Sequence, residues 1–425
     1  MAESNTATQQ PKPTLVKPGF KKTKLGWIPE DWEVLKLSKI GETVTGLTYN
    51  PKSITDEKGV LVLRSSNVQN GVLEFDDNVF VNVGEGDYNK TLEGDLLICV
   101  RNGSRSLIGK NALISKEHAG TAFGAFMLVF RSPHFKYLYQ LFNTHYYYRE
   151  IHKNLGATIN SINTKNLLDF KFPFPQEHER KAIATCLSTW DTAITTLDKL
   201  ILAKQKRKQA LMQQLLSGKK RLPGFKGEWK VCNLSNISNR VVRKNKEAND
   251  NVVTISAQRG FVKQEDFFNK RVASNTLLNY TLVHRGEYCY NKSYSNGYPM
   301  GAFKRLDSFD KAVVTTLYIC FSLKRNVNSD FMNQFFEAGK MIPGLMRIAQ
   351  EGGRAHGLLN ISLSDFFGLT LKLPSLEEQT AIALVLNTVD KDIQLLTAQR
   401  NHLQDQKKGL MQQLLTGKKR LPYHE

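Results

Sequence analysis

One stretch of this sequence occurs twice. Residues 211–223 read LMQQLLSGKKRLP and residues 410–422 read LMQQLLTGKKRLP, 199 positions apart and one Ser/Thr exchange from identity. The match runs backwards without a gap. Pro175, Glu179, Ala182, Ile183, Ala184, Leu187, Asp191, Ile194 and Leu197 return as Pro374, Glu378, Ala381, Ile382, Ala383, Leu386, Asp390, Ile393 and Leu396. A duplicated segment of roughly fifty residues constrains the fold more than any short motif, because it marks a tandem architecture.

Apolar residues of the first copy fall at Ile183, Leu187, Trp190, Ile194, Leu197, Ile201, Leu211 and Leu215; the second gives Ile382, Leu386, Val389, Ile393, Leu396, Leu403, Leu410 and Leu414. Alternating spacings of three and four are a heptad seam, so each copy predicts one long coiled-coil helix. Acidic Glu177 and Glu179 (Glu377 and Glu378 in the second copy) stand in the first turn, and basic Lys206–Lys208 (Lys407 and Lys408) toward the other end, in agreement with the helix dipole. Gly218 and Gly417 are the expected C′ residues, with Pro223 and Pro422 just beyond. At ~1.5 Å per residue, roughly 42 residues make a rod of about 60 Å. Lys204, Lys208, Arg400 and Lys407 interrupt the seam. The expectation is that the last third of each helix splays and packs against something other than its twin, such as another subunit.

Between the helices the chain repeats a second plan. Residues 1–23 are polar and basic and are expected to be a disordered arm. A globular domain spans 24–173, with short strands at Val60–Leu63, Val79–Val81, Leu96–Val100 and Phe126–Phe130 and a helix over Phe135–His152. A helical segment covers 174–223, a second globular domain 224–372, and a second helical segment 373–425. The second domain echoes the first: Glu228-Trp229 matches Asp31-Trp32, and Gly286-Glu287 followed by Gly301 matches Gly94-Asp95 followed by Gly109 at the same spacing. A helix is expected at 329–348. Elsewhere the two domains diverge almost completely.

The composition narrows the function class. With 59 Lys+Arg against 39 Asp+Glu the chain carries +20, which points to polyanions, nucleic acid above all. No apolar run approaches the ~20 residues needed to span a bilayer, so no membrane partner is expected. The polar N-terminus has no signal-peptide core, and a cytoplasmic location follows. Five dispersed cysteines without a CxxC pair suggest neither a disulfide framework nor a zinc site, but buried small hydrophobes.

Taken together, the sequence resembles the specificity (S) subunit of type I restriction-modification systems. The resemblance is carried by the domain-closing Phe-Pro-Gln-Glu-His-Glu-Arg (174–180) and Leu-Pro-Ser-Leu-Glu-Glu-Gln (373–379), and by the closing Leu-Leu-Ser/Thr-Gly-Lys-Lys-Arg-Leu. In the second domain Val-Thr-Ile-Ser (253–256), Tyr-Asn-Lys-Ser-Tyr-Ser-Asn (290–296) and Gly301-Ala302 resemble a common recognition-domain type. His178 and Arg180 depart from the usual Pro-x-x-Glu-Gln, which Glu378-Gln379 keep. The resemblance implies an α+β fold: two mixed α/β target-recognition domains separated by two long antiparallel coiled-coil helices, a pseudo-two-fold tandem repeat. It also implies two modification subunits docked on the helices and restriction subunits beyond them. S-adenosylmethionine, ATP and Mg would reside on those partners, with no cofactor in this chain.

The residues agree that the chain performs no chemistry. An Asn/Asp-Pro-Pro-Tyr/Phe loop and a glycine-rich cofactor loop are both missing. Gly103–Asn111 has the wrong length and ending for a P-loop, and Glu228-Trp229-Lys230 is a chance nuclease-like triplet. Reading duplex DNA needs Arg, Lys, Asn, Gln and Ser on loops at the groove. Candidates in the first domain are Arg64, Ser65, Asn67, Arg101, Asn102, Ser104 and Arg105, joined by the loop Asn160–Asn163. In the second domain they are Gln258, Arg259, Asn291, Lys292, Ser293, Tyr294 and Asn296, with Arg354 in the loop 352–356. The plain alternative for each loop is a solvated turn. Leu211, Leu215, Leu410 and Leu414, identical in both copies, are candidates for binding the partner subunits. Two rival readings remain open at this point: a non-catalytic architectural DNA-binding scaffold with a coiled coil, and a fused single-chain restriction enzyme.

Overall fold

The computed structural model describes residues 17–155, 160–268, 277–349 and 358–421. The chain divides into two compact units, Met1–Thr196 with Arg400–Glu425, and Leu197–Gln399. The division falls inside both long helices, so each unit holds one globular domain, the start of one helix and the end of the other.

In the first unit a four-stranded antiparallel sheet runs in the order Asn111–Leu113, Leu96–Cys99, Met127–Arg131, Glu42–Thr45. Its central strand, Leu-Leu-Ile-Cys, is wholly buried. Side chains alternate across a strand, and this sheet is covered on both faces. Leu96, Ile98, Leu128 and Phe130 face the core that also receives the long helices, while Leu97, Cys99, Met127 and Val129 face a second core. A further sheet orders Ala122–Phe123, Val60–Leu63, Phe80–Val81 and Ile54–Thr55. The ribbon Glu33–Lys36 with Lys171–Phe174 leads directly into the first long helix.

The second unit repeats the main sheet strand for strand: Ala302–Arg305, Tyr288–Asn291, Ile319–Leu323, Ser238–Arg240. Tyr288, Tyr290, Phe303, Ile319 and Phe321 face the helix-bearing core, and Cys289 and Cys320 the opposite one. The ribbon Lys230–Asn233 with Thr370–Leu373 again precedes the long helix. The two domains thus share a sheet that their sequences hardly reveal.

The duplicated segments form helices Glu177–Leu215 and Leu376–Leu414, 39 residues each. Gly218 and Gly417 follow them at φ +70° and +67°, the left-handed conformation expected of C′ glycines. The helices pair antiparallel. In the first unit Ile183 and Leu187, early in one helix, share a core with Met411, Leu414 and Leu415 at the end of the other. In the second unit Leu215 and Leu216 join Ile382, Ala383 and Leu386.

The seam cations correct an expectation. The ends do not splay: Lys204 meets Asp392 at 2.8 Å, Lys208 meets Asp390 at 2.7 Å, and Lys407 meets Asp191 at 2.6 Å. Each of these three lysines faces an aspartate of the opposite helix, and pairing offsets the cost of placing charge in a seam. The aspartates also tie in the domains, since Gln140 donates to Asp191 and Gln334 to Asp390, both at 2.7 Å.

A second clamp closes each unit. Glu179, buried in the first turn of its helix, accepts Trp32 Nε1 at 2.8 Å and Arg420 Nε at 2.5 Å, while the same Arg420 reaches Asp31 at 2.8 Å. Its counterpart Glu378 is gripped by Arg221 through two bonds of 2.5 Å. The repeated Lys-Lys-Arg-Leu tail of each helix is therefore a latch onto the domain at the start of the other.

Three further expectations change. The basic arm, drawn to residue 23, gives way to structure earlier, because Phe20–Thr23 pairs with Gly26–Pro29; residues 1–16 lie outside the described residues. The helix expected at Phe135–His152 is two, Phe135–Phe142 and His145–Asn154. The one expected at 329–348 is likewise two, Ser329–Glu337 and Ile342–Ile348, interrupted where Gly339 takes φ +67°. Tyr137, Phe142 and Tyr147 fill the core. No helix among the described residues is long and apolar enough to cross a membrane.

Candidate nucleic-acid interface

In the first unit the polar loops follow two strands of different sheets, Val60–Leu63 and Leu96–Cys99, which bring them together. The loop after Val60–Leu63 and the loop after Leu96–Cys99 touch: Asn102 Nδ2 donates to Ser65 Oγ at 2.9 Å. Lys110 reinforces the junction, bonding Ser65 O and Gln69 Oε1, each at 3.3 Å. The Asn160–Asn163 loop docks on the same place. Asn102 N donates to Asn160 O at 3.2 Å, and Asn160 Nδ2 to Gly103 O at 2.9 Å. Three stretches far apart in sequence therefore form one polar surface.

The second unit builds the same cluster from different residues. Gln258, after Val253–Ser256, donates to Asn296 O at 3.0 Å in the loop after Tyr288–Asn291. Leu359 N, from the segment preceding the last strand, donates to Lys292 O at 3.1 Å. Both reading loops start with an Asx turn, Asn102 Oδ1 accepting Ser104 N and Asn291 Oδ1 accepting Ser293 N at 3.0 Å. The second loop is also tied at its far end, where Tyr298 and Lys304 both bond Glu337. Burial and the adjacent Glu337 carboxylate push the Tyr298 phenol up, so it remains a donor.

Within these clusters the individual residues differ. Arg101, Ser104 and Arg105 are exposed, as are Gln258, Arg259, Tyr294 and Asn296. Arg101 lies 5.6 Å over the ring of Phe126, itself 56 % exposed. Arg259 lies over Phe267. Asn291, Lys292, Ser293, Ser65 and Asn102 are half-buried. Arg64 is partly neutralised by Asp77 at 3.0 Å.

Asn67 overturns its assignment. Its side chain is fully buried, accepting Arg64 N and donating to Glu74 O, Asp77 O and Asn78 Oδ1, so it shapes the loop and has nothing left to offer a base. Arg354 lies outside the described residues.

The leucines assigned to partner binding need the same correction. Leu215 and Leu414 are buried in the chain's own cores, with Leu211 and Leu410 packed against them. Their identity in the two repeats reflects the duplicated packing of helix on domain. Sequence reasoning also missed residues. Phe126 was read as the first residue of a strand, yet it stands outside Met127–Arg131. Arg240 and Lys244 border a cleft beside Lys292, and the only sequence signal was the basic run Arg240–Lys246.

Known proteins give this arrangement a context. Residues 29–205 match the family profile described as the type I restriction modification DNA specificity domain. The chain is 26 % identical over 442 residues to a Methanocaldococcus jannaschii protein assigned as the type I restriction enzyme MjaX specificity subunit, covering 95 % of this chain and 97 % of that one. It is 26 % identical over 211 residues to the type I restriction enzyme EcoKI specificity subunit of Escherichia coli, covering 46 % of this chain and 44 % of that one. The chain is thus similar in sequence to type I restriction specificity subunits. A crystal structure of a type I restriction-modification S subunit from M. genitalium has the same fold, at a TM-score of 0.55 and 15 % identity over 90 % of this chain and 96 % of that one. In this chain the two loop clusters follow matching inner strands, Leu96–Cys99 and Tyr288–Asn291, of two sheets with the same strand order.

Proposed function

We propose that this chain is the DNA-recognition subunit of a type I restriction-modification complex, each domain reading one half of a bipartite, asymmetric duplex site. The observation that carries this reading is the matched pair of loop clusters. The same three loops converge in both units while their residues differ, as expected of two readers of unrelated sequences. The chain itself catalyses nothing in this reading; modification subunits would bring S-adenosylmethionine, and restriction subunits ATP and Mg.

Two copies of the modification subunit would dock on the duplicated helices. The buried leucines are replaced as contacts by the exposed residues the two repeats share: Gln213, Gln214, Lys219 and Lys220 in one copy, Gln412, Gln413, Lys418 and Lys419 in the other. Identical exposed surfaces support identical partners.

The test is selection of duplexes from a random-sequence pool by the full chain, followed by competition. A gapped motif bound on the order of 10³ times better than random duplex supports specific recognition. Equal affinity for all duplexes would instead make the chain a sequence-blind scaffold.

A further inference from the structure

A cleft of about 390 Å³ lies beside the second domain's reading loop. One wall is Arg240–Lys244, the chain leaving the edge strand Ser238–Arg240; the other is Thr316–Ile319, the turn entering the strand Ile319–Leu323. Arg240, Lys244 and Lys292 all line it, Thr316 contributes a hydroxyl, and no carboxylate is among the described residues that line it. Lys244 is oriented by a bond from its ammonium to Asn279 O at 3.0 Å.

The first domain has a cleft at the corresponding place, formed by Leu47–Tyr49 after its edge strand and Gly124–Met127 before the matching inner strand. Its chemistry is different. Arg64, the one cation among the described residues lining it, is paired with Asp77, which also lines the cleft, and its rim carries the exposed Phe126. The fold thus places a cleft at this position in each domain, and of the two the second is the one furnished with three cations.

Resting on the DNA-reading role above, we infer that the second domain's cleft seats a phosphodiester of the DNA backbone, held by Arg240, Lys244 and Lys292 with Thr316 as a hydroxyl donor. Three cations without a counter-carboxylate suit an anion that is present on every duplex, whereas a base edge calls for a matched donor and acceptor pattern. The cleft fixes the register of the second domain, and the neighbouring Tyr294 and Asn296 are left to read. The first domain's cleft, nearly neutral and aromatic at its rim, makes apolar contact through Phe126.

The experiment measures binding of the full chain to a duplex bearing its selected site and to a scrambled duplex, across a salt series. Arg240→Ala with Lys244→Ala should weaken both duplexes alike, on the order of tenfold at low salt, and reduce the slope of log K against log salt by about 2. Lys292→Gln should reduce the slope by about 1, and Phe126→Ala should leave it unchanged. Thermal unfolding of each variant, unchanged from wild type, confirms that the fold is intact; Arg240→Lys with Lys244→Arg should restore the slope. Unaltered affinity and slope in folded variants would overturn the assignment, as would a loss confined to one half of the site. Saturable stabilisation of wild type, but not of the variants, by inorganic phosphate at constant ionic strength would assign the cleft to a small anion instead. A wild-type chain with no preference for any duplex would sink the recognition reading itself, an outcome distinct from unchanged variants of a specific wild type.

Discussion

Asn67 and Arg101 are both polar loop residues of the first domain, yet burial gives them opposite tasks. Asn67 satisfies four polar groups around a closed turn, and removing it leaves buried donors and acceptors unpaired. Asn67→Ala should cost about 1–3 kcal/mol of stability, seen as a lowered denaturation midpoint. Its effect on binding should follow loop order, without a base-specific signature. Arg101 is exposed and braced against Phe126. Arg101→Ala should leave the denaturation midpoint near wild type and cost about 1–3 kcal/mol of discrimination at one half-site only. Uniform weakening across all sequences would make Arg101 a phosphate anchor. Sequence alone could not separate these two residues. Both stand after apolar strands among Ser, Asn and Gly, and what distinguishes them is the fold of the 74–78 segment over Asn67, a tertiary fact with no local signature.

At the scale of elements, the heptad seam made the helices legible, and the C′ glycines marked their ends. The cations in that seam were legible as an anomaly and were given the wrong explanation, because their partners lie 188 and 216 positions away for Lys204 and Lys407. The pairing makes a prediction. In a double-mutant cycle, Lys208→Ala and Asp390→Ala should show a coupling of about 1 kcal/mol in chemical denaturation. Strict additivity would mean the pair is incidental. The Arg420 latch should matter more, because Glu179 is buried and would be left without its cation: Arg420→Ala should destabilise by about 3 kcal/mol or more. The latch also has a pH signature. The hydrogen bond from Arg420, above all, holds the Asp31 carboxyl below its ordinary value of 3.8. A depressed carboxyl stabilises the fold fully above that value and loses the contribution as pH falls through its lower folded pKa. The gap in melting temperature between wild type and Arg420→Ala should therefore narrow below about pH 3.8. A gap that widens in acid would contradict the assigned pair.

For the whole molecule, the repeat carried the architecture: domain, helix, domain, helix was readable from the 199-residue offset. The common sheet was foreshadowed only by Gly94-Asp95 and Gly286-Glu287, since Leu-Leu-Ile-Cys and Tyr-Cys-Tyr-Asn satisfy the same two-sided burial with different side chains. What remained hidden was closure within each unit, where a helix end from one repeat completes the core of the other domain. That arrangement rests on contacts between the chain's extremes, such as Arg420 with Asp31, and no local pattern announces it. The central claim is that the two equivalent loop clusters read two different half-sites. Mapping of methylated bases across the genome of a host supplied with this chain and the proposed modification subunits tests it most directly. The account predicts one motif of two unrelated specific halves separated by a fixed unread gap, with Arg101→Ala degrading one half and Asn296→Ala the other. A continuous or palindromic motif, or one in which both substitutions degrade the same half, would contradict it.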